Sequence, residues 1–75
     1  MKIKVKLIGP LVYEAGFNEK EVEAPEKTTV DALLDLIALP KERPKIVVRN
    51  GLAIAPQEVL SDGDKIAISP IYSGG

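Results

Sequence analysis

The chain ends in Ser73-Gly74-Gly75, and the group there best placed for chemistry is the terminal carboxylate itself. Two glycines in succession form a thin, extendable thread that can enter a narrow channel and take conformations closed to residues with a Cβ. The side chains offer much less. The sequence contains no His and no Cys, so the usual general base, zinc ligand, thiol nucleophile and disulfide are absent together. Tyr72 and Ser73 carry hydroxyls without a base to activate them; they read as contacts to a partner's channel. Asp62-Gly63-Asp64 is the one acidic cluster tight enough to suggest a metal. A calcium loop needs further oxygen ligands at fixed offsets ending in a Glu, and none follows. The spacing instead predicts a turn whose Asp side chains bond backbone amides around a glycine of positive φ. Gly9-Pro10 and Gly51 stand outside any Gly-rich phosphate signature. An independent enzyme is not expected from this inventory.

A chain of 75 residues is one small domain that must draw its stability from a single core. Ten basic residues against eleven acidic ones leave a net charge of −1, with no run of one sign, which argues against nucleic acid as a partner. The opening Met1-Lys2-Ile3-Lys4 alternates charged and apolar residues, so no signal-peptide core is expected there. No apolar run approaches the roughly 20 residues of a membrane span. The expectation is a soluble, cytoplasmic protein without membrane or nucleic-acid partners.

The elements that must position the terminus follow from periodicity. Residues 2–8 alternate strictly, with Ile3, Val5 and Leu7 on one face and Lys2, Lys4 and Lys6 on the other, which predicts a half-buried strand. After Gly9-Pro10, residues 11–16 read as a connection with apolar anchors. A second alternating strand over residues 19–24 sets Glu19, Glu21 and Glu23 on one side. Antiparallel pairing would place Lys2, Lys4 and Lys6 opposite Glu23, Glu21 and Glu19, a solvated face with cross-strand ion pairs.

Pro25 ends that strand, and Thr28 or Thr29 caps a helix whose first turn carries Asp31. Within it Val30, Leu33, Leu34 and Ile37 form one apolar stripe facing a sheet, with Leu36 off the stripe. The polar connection Pro40-Lys41-Glu42-Arg43-Pro44 leads to a hairpin, residues 46–49 and 52–55 around Asn50-Gly51, a pair that tolerates positive φ. Val59 and Leu60 are expected to plug the bottom of the core. Ser61-Asp62-Gly63-Asp64 then turns the chain into a last strand over residues 65–69, which we place parallel to the first at the sheet's centre. Pro70 denies that strand a further donor and helps the tail leave the sheet. Pro70, Ile71 and Tyr72 form either an apolar interaction patch or residual packing on the sheet end. The domain is residues 1–70, followed by an extended tail, 71–75.

This order of elements, the run Leu60-Ser61-Asp62-Gly63-Asp64-Lys65-Ile66-Ala67-Ile68-Ser69-Pro70 and the end Ser73-Gly74-Gly75 resemble the ubiquitin-like β-grasp sulfur carriers of the MoaD and ThiS family. The resemblance covers essentially the whole chain and implies an α+β fold, a mixed sheet of four to five strands crossed by one helix. Gly9-Pro10-Leu11, Gly16 and Pro70 bring the chain nearer to the MoaD branch. Ile71 stands where that branch usually has a second proline, and Ile68-Ser69 replace its usual aromatic residue. The resemblance implies a carrier rather than an enzyme, with no bound cofactor. A ubiquitin-activating-type enzyme would use ATP to adenylate Gly75, and a sulfur donor such as a cysteine desulfurase would convert it to a thiocarboxylate. Gly74 would thread with it, and Pro70, Ile71, Tyr72 and Ser73 would guide the tail into an acceptor, in the MoaD branch the large subunit of molybdopterin synthase. Carriers serving thiamine or tRNA thiolation, and modifiers conjugated through Gly75, share the same implied chemistry.

Overall fold

The computed structural model describes residues 1–39 and 44–71. Five strands form one mixed sheet: β1 (Lys2–Leu7), β2 (Glu19–Glu23), β3 (Lys45–Arg49), β4 (Leu52–Ala53) and β5 (Lys65–Pro70), in the spatial order β2-β1-β5-β3-β4. The two termini of the chain thus supply its central pair. β1 and β5 run parallel, Val5 facing Ile66 and Leu7 facing Ile68. β1 pairs antiparallel with β2 in the expected register, Lys2, Lys4 and Lys6 opposite Glu23, Glu21 and Glu19. The ammonium groups nevertheless close no ion pair with these carboxylates. Long exposed side chains gain too little in high dielectric to hold one geometry.

Alternation along β1 sends Ile3, Val5 and Leu7 inward, where they meet Ile66 and Ile68 of β5 and Val47 of β3 in one buried core. Helix α2 (Val30–Leu36) closes that core from above. Val30, Leu33 and Leu34 are buried along its length, with Ile37 at its C-cap, while Leu36 faces out as expected. Thr29 is the N-cap, its Oγ1 accepting from the Ala32 amide at 3.2 Å. Thr28 acts differently, donating its hydroxyl to the Pro25 carbonyl at 2.6 Å. The next orphan amides of α2 are satisfied by the segment before β5: Val30 donates to the Glu58 carbonyl and Asp31 to that of Pro56, both at 3.0 Å.

Three further expectations are corrected. The stretch taken as a connection after β1 contains a short helix, α1 (Leu11–Ala15), begun by Pro10, ended by Gly16 and anchored by buried Leu11. Five residues are too few for a periodic signal, although a proline at the start and a glycine at the end mark such a turn. Val59 does not plug the core with Leu60; it is 50% exposed while Leu60 is buried. Adjacent residues of an extended segment point to opposite sides, and the Val59 backbone is engaged in a bridge to Thr29. Finally, β5 continues through Pro70, one residue past the expected end, with Pro70 opposite Lys45. Of the polar connection before β3, Pro40, Lys41, Glu42 and Arg43 lie outside the described residues.

Both sheet edges discourage strand addition. On β2, Lys20 stands opposite inward-facing Val5 yet remains exposed, its Nζ 5.1 Å from the centre of the Phe17 ring. A charge on the inner side of an edge strand blocks pairing with another chain. The opposite edge, β4, is two residues long and followed closely by Pro56.

Candidate functional site

The candidate site is the end of β5, and its geometry begins at the turn that launches that strand. Asp62 Oδ1 accepts from the Lys2 amide at 2.7 Å, and the Gly63 amide donates to the Lys2 carbonyl at 2.8 Å. One residue of β1 is thereby gripped on both its backbone groups. Gly63 has φ +84°, a value open to glycine at little steric cost. Asp64 Oδ2 accepts from the Ser61 amide at 2.8 Å, closing the turn, and the Asp64 carbonyl accepts from the Lys4 amide at 2.9 Å. Asp64 thus bonds a turn amide, as its spacing predicts, whereas Asp62 reaches across to β1 instead. Among the described residues, no group of three or more potential metal-ligating side chains gathers.

Arg49 extends the clamp, a role its sequence context gave no sign of. From the end of β3 its Nη2 donates to Glu58 Oε2 at 2.8 Å, and its Nη1 reaches the Val59 carbonyl at 3.2 Å and Asp64 Oδ2 at 3.4 Å. The hydrogen bond to Glu58, aided by the charge of Asp64, holds the guanidinium above its ordinary pKa against the opposing effect of desolvation. With a raised folded-state value, the arginine's contribution is present at every pH below its ordinary value. It is lost only in strong alkali. Replacing Arg49 with Met keeps much of the stem packing and removes the clamp. We expect the thermal midpoint to drop by a few degrees, followed by circular dichroism. An unchanged midpoint would show that these bonds merely replace bonds to water.

At the far end, the chain leaves the sheet between two prolines. Pro70 carries no amide hydrogen, and the last described tie is the Ile71 amide donating to the Pro44 carbonyl at 3.2 Å. Ile71 is 50% exposed, half packed on the sheet end and half open to solvent. It has company on the face turned away from α2. Ile46 lies opposite Ser69 across the β3–β5 pair, and Ile8, whose amide bonds the Ile68 carbonyl at 3.0 Å, flanks Ser69 on the other side. Both isoleucines are exposed. Sequence reasoning missed them as site residues, although an apolar residue continuing a strand on its polar side was the available signal. Tyr72, Ser73, Gly74 and Gly75 lie outside the described residues. From Ile66 to Gly75 the sequence has no charged side chain.

The central strand β5 thus ends beside an apolar rim of Ile8, Ile46 and Ile71. The profile of the ThiS family matches residues 5–75, from within the first strand to the last glycine. The chain belongs to the ThiS family. Its structural relatives agree. SAMP1, the small archaeal modifier protein 1 of Haloferax volcanii, is 30% identical with a TM-score of 0.82 and full coverage of both chains. A putative molybdopterin converting factor subunit 1 from Pyrococcus furiosus is 28% identical with a TM-score of 0.82, over 93% of this chain and 97% of that one. A chain from the complex of subunits 1 and 2 of molybdopterin-converting factor from Helicobacter pylori shares the fold at 22% identity, with a TM-score of 0.66 and full coverage of both chains. No curated protein matches the sequence.

This ThiS-family chain is therefore a ubiquitin-like β-grasp protein of the kind that serves as a sulfur carrier or modifier. Members of the family are small carrier proteins rather than catalysts. Among the described residues, no helix is long and apolar enough to cross a membrane.

Proposed function

We propose that the chain is a sulfur carrier whose reacting group is the Gly75 carboxylate, with residues 1–70 as the body a partner grips and 71–75 as the tail. The observation that carries this reading is the family match running through Gly74 and Gly75 on a fold whose central strand leads into them. A free carboxylate is a poor acyl donor. In the proposed first step a Gly75 oxygen attacks the α-phosphate of ATP held by an activating enzyme, forming the acyl adenylate and releasing pyrophosphate. A sulfur donor at the oxidation level of hydrosulfide then forms the C–S bond and expels AMP, leaving the thiocarboxylate and a proton. ATP is bound by the partner, and the carrier itself needs no cofactor. Tethering the sulfur replaces a diffusing sulfide with one delivered to its acceptor.

The acceptor we favour is the large subunit of a molybdopterin synthase, supported by the likeness to the Pyrococcus subunit and by the two-subunit complex that the Helicobacter relative forms. Incubation with the activating enzyme, ATP and hydrosulfide, or a cysteine desulfurase with cysteine and a thiol reductant that brings its persulfide sulfur to that level, should raise the mass by about 16 Da, one oxygen exchanged for sulfur. Recovery of only the unmodified chain from an active system would refute it. The likeness to SAMP1 supports a second reading, a modifier joined through Gly75 to Lys of target proteins. Conjugate ladders in extract that vanish on deleting Gly75 would favour that reading.

The apolar rim gives a separate expectation. Ile46→Asp should leave the thermal midpoint nearly unchanged, because the side chain is already exposed. Loading at limiting activating enzyme should fall about tenfold if Ile46 meets a partner's apolar surface. Equal loading rates for the variant and the parent chain would remove the rim from the interface.

A further inference from the structure

On the sheet face away from α2, Lys4, Lys6 and Lys65 line a basin of about 390 Å³ with Asn50 on its border. Val48 and Ala67, a cross-strand pair, give it an apolar floor. The register makes its charge unusual. Lys4 lies directly opposite Lys65 across the parallel β1–β5 pair, and like charges in that relation destabilise a sheet. Of the carboxylates of β2, only Glu19 reaches the basin's lining. None of the three lysines closes an ion pair or hydrogen bond through its side chain. A carboxylate at position 65 would relieve Lys4 without disturbing the core, since the side chain points to solvent.

We propose that this basin docks an acidic, extended peptide segment of a partner protein, its carboxylates meeting Lys4, Lys6 and Lys65 and an apolar side chain resting on Val48 and Ala67. Charge complementarity points to an anion, and the apolar floor to a peptide. A nucleic acid fits less well. The row of lysines is flanked along β2 by Glu19, Glu21 and Glu23, so a phosphate backbone following it would run beside three like charges. The proposal rests on the reading of this chain as a protein handled by protein partners, but its site is independent of the chemistry at Gly75.

The test uses the full ¹⁵N-labelled chain and a synthetic hexapeptide of alternating Glu and Leu, blocked at both ends. Amide shifts are expected at Lys4, Lys6, Asn50 and Lys65, weakening as salt rises. Lys65→Gln should weaken binding about threefold and Lys65→Glu about tenfold or more. The charge reversal should also raise the thermal midpoint, because the new carboxylate faces Lys4. Loss of binding with a gain in stability separates docking from misfolding. The proposal is overturned by dispersed or absent shifts, by an equal response to the same peptide with Gln for Glu, or by undiminished affinity of Lys65→Glu. A stronger response to oligothymidylate of equal charge would overturn it in favour of nucleic acid. Shifts that depend on protein concentration without peptide would assign the basin to a second copy. Because no arm reads thiocarboxylate, a failed mass experiment leaves this result standing, and the reverse also holds.

Discussion

Deleting Gly75 is expected to abolish thiocarboxylate formation, lowering the loaded fraction by about a hundredfold or more. One residue of extended chain spans roughly 3.5 Å, and reacting atoms must approach to about that same separation before bonding. A terminus ending at Gly74 therefore stops one full bonding distance short of the adenylating phosphorus. Gly74→Val preserves the length and tests the width of the channel, since it adds a branched Cβ to the thread. We expect it to load at least tenfold more slowly. Both variants should melt near the parent chain, because the buried core and the five-stranded sheet lie within residues 1–70. Mass spectrometry for the gain of about 16 Da checks the prediction. Full loading of the shortened chain would place the reacting group somewhere other than the terminal carboxylate.

The second large effect concerns the body. Leu33 is 0% exposed on the sheet-facing side of α2, and Leu36 is 51% exposed on the other. Leu33→Ala removes buried methyl groups and leaves a cavity, at a cost of about 3–4 kcal/mol. A domain of this length has a total stability of roughly 4–11 kcal/mol, so the variant loses a large share of it. Its midpoint should fall by about 15 °C, whereas Leu36→Ala should stay near the parent. Urea titration of the two variants side by side measures the contrast. Equal losses would mean that the helix does not present the face assigned to it.

Patterns repeated over several residues were legible before the structure. Alternating lysines and glutamates fixed which faces of β1 and β2 look outward, and the pairing of Lys2 with Glu23 followed. The spacing of Val30, Leu33, Leu34 and Ile37 identified the inner side of α2. Asn50 and Gly51, with φ of 52° and 84°, form the expected hairpin turn. Features resting on a single contact were hidden. Nothing local distinguishes Arg49 from a solvated arginine, because Glu58 and Asp64 reach it through the tertiary fold. The α1 turn was too short to show a period. Lysines paired with glutamates on paper do not pair in space, since register brings backbones together and leaves exposed side chains free. Of the site itself, the sequence indicated the terminus and Ile71, while Ile8 and Ile46 became visible only when the sheet placed them around Ser69.

The parallel pairing of the first and last strands bears on how the protein comes into being. Lys4 and Lys65 are neighbours separated by most of the chain, so the sheet's centre is its most costly contact in loop closure and among the last that synthesis makes possible. Until β5 emerges, β1 has only β2 beside it, and Val5 and Leu7 lack their partners Ile66 and Ile68. The folded body cannot exist without the strand that precedes the last glycines. A chain cut short before that strand forfeits the centre of its sheet, and with it the fold.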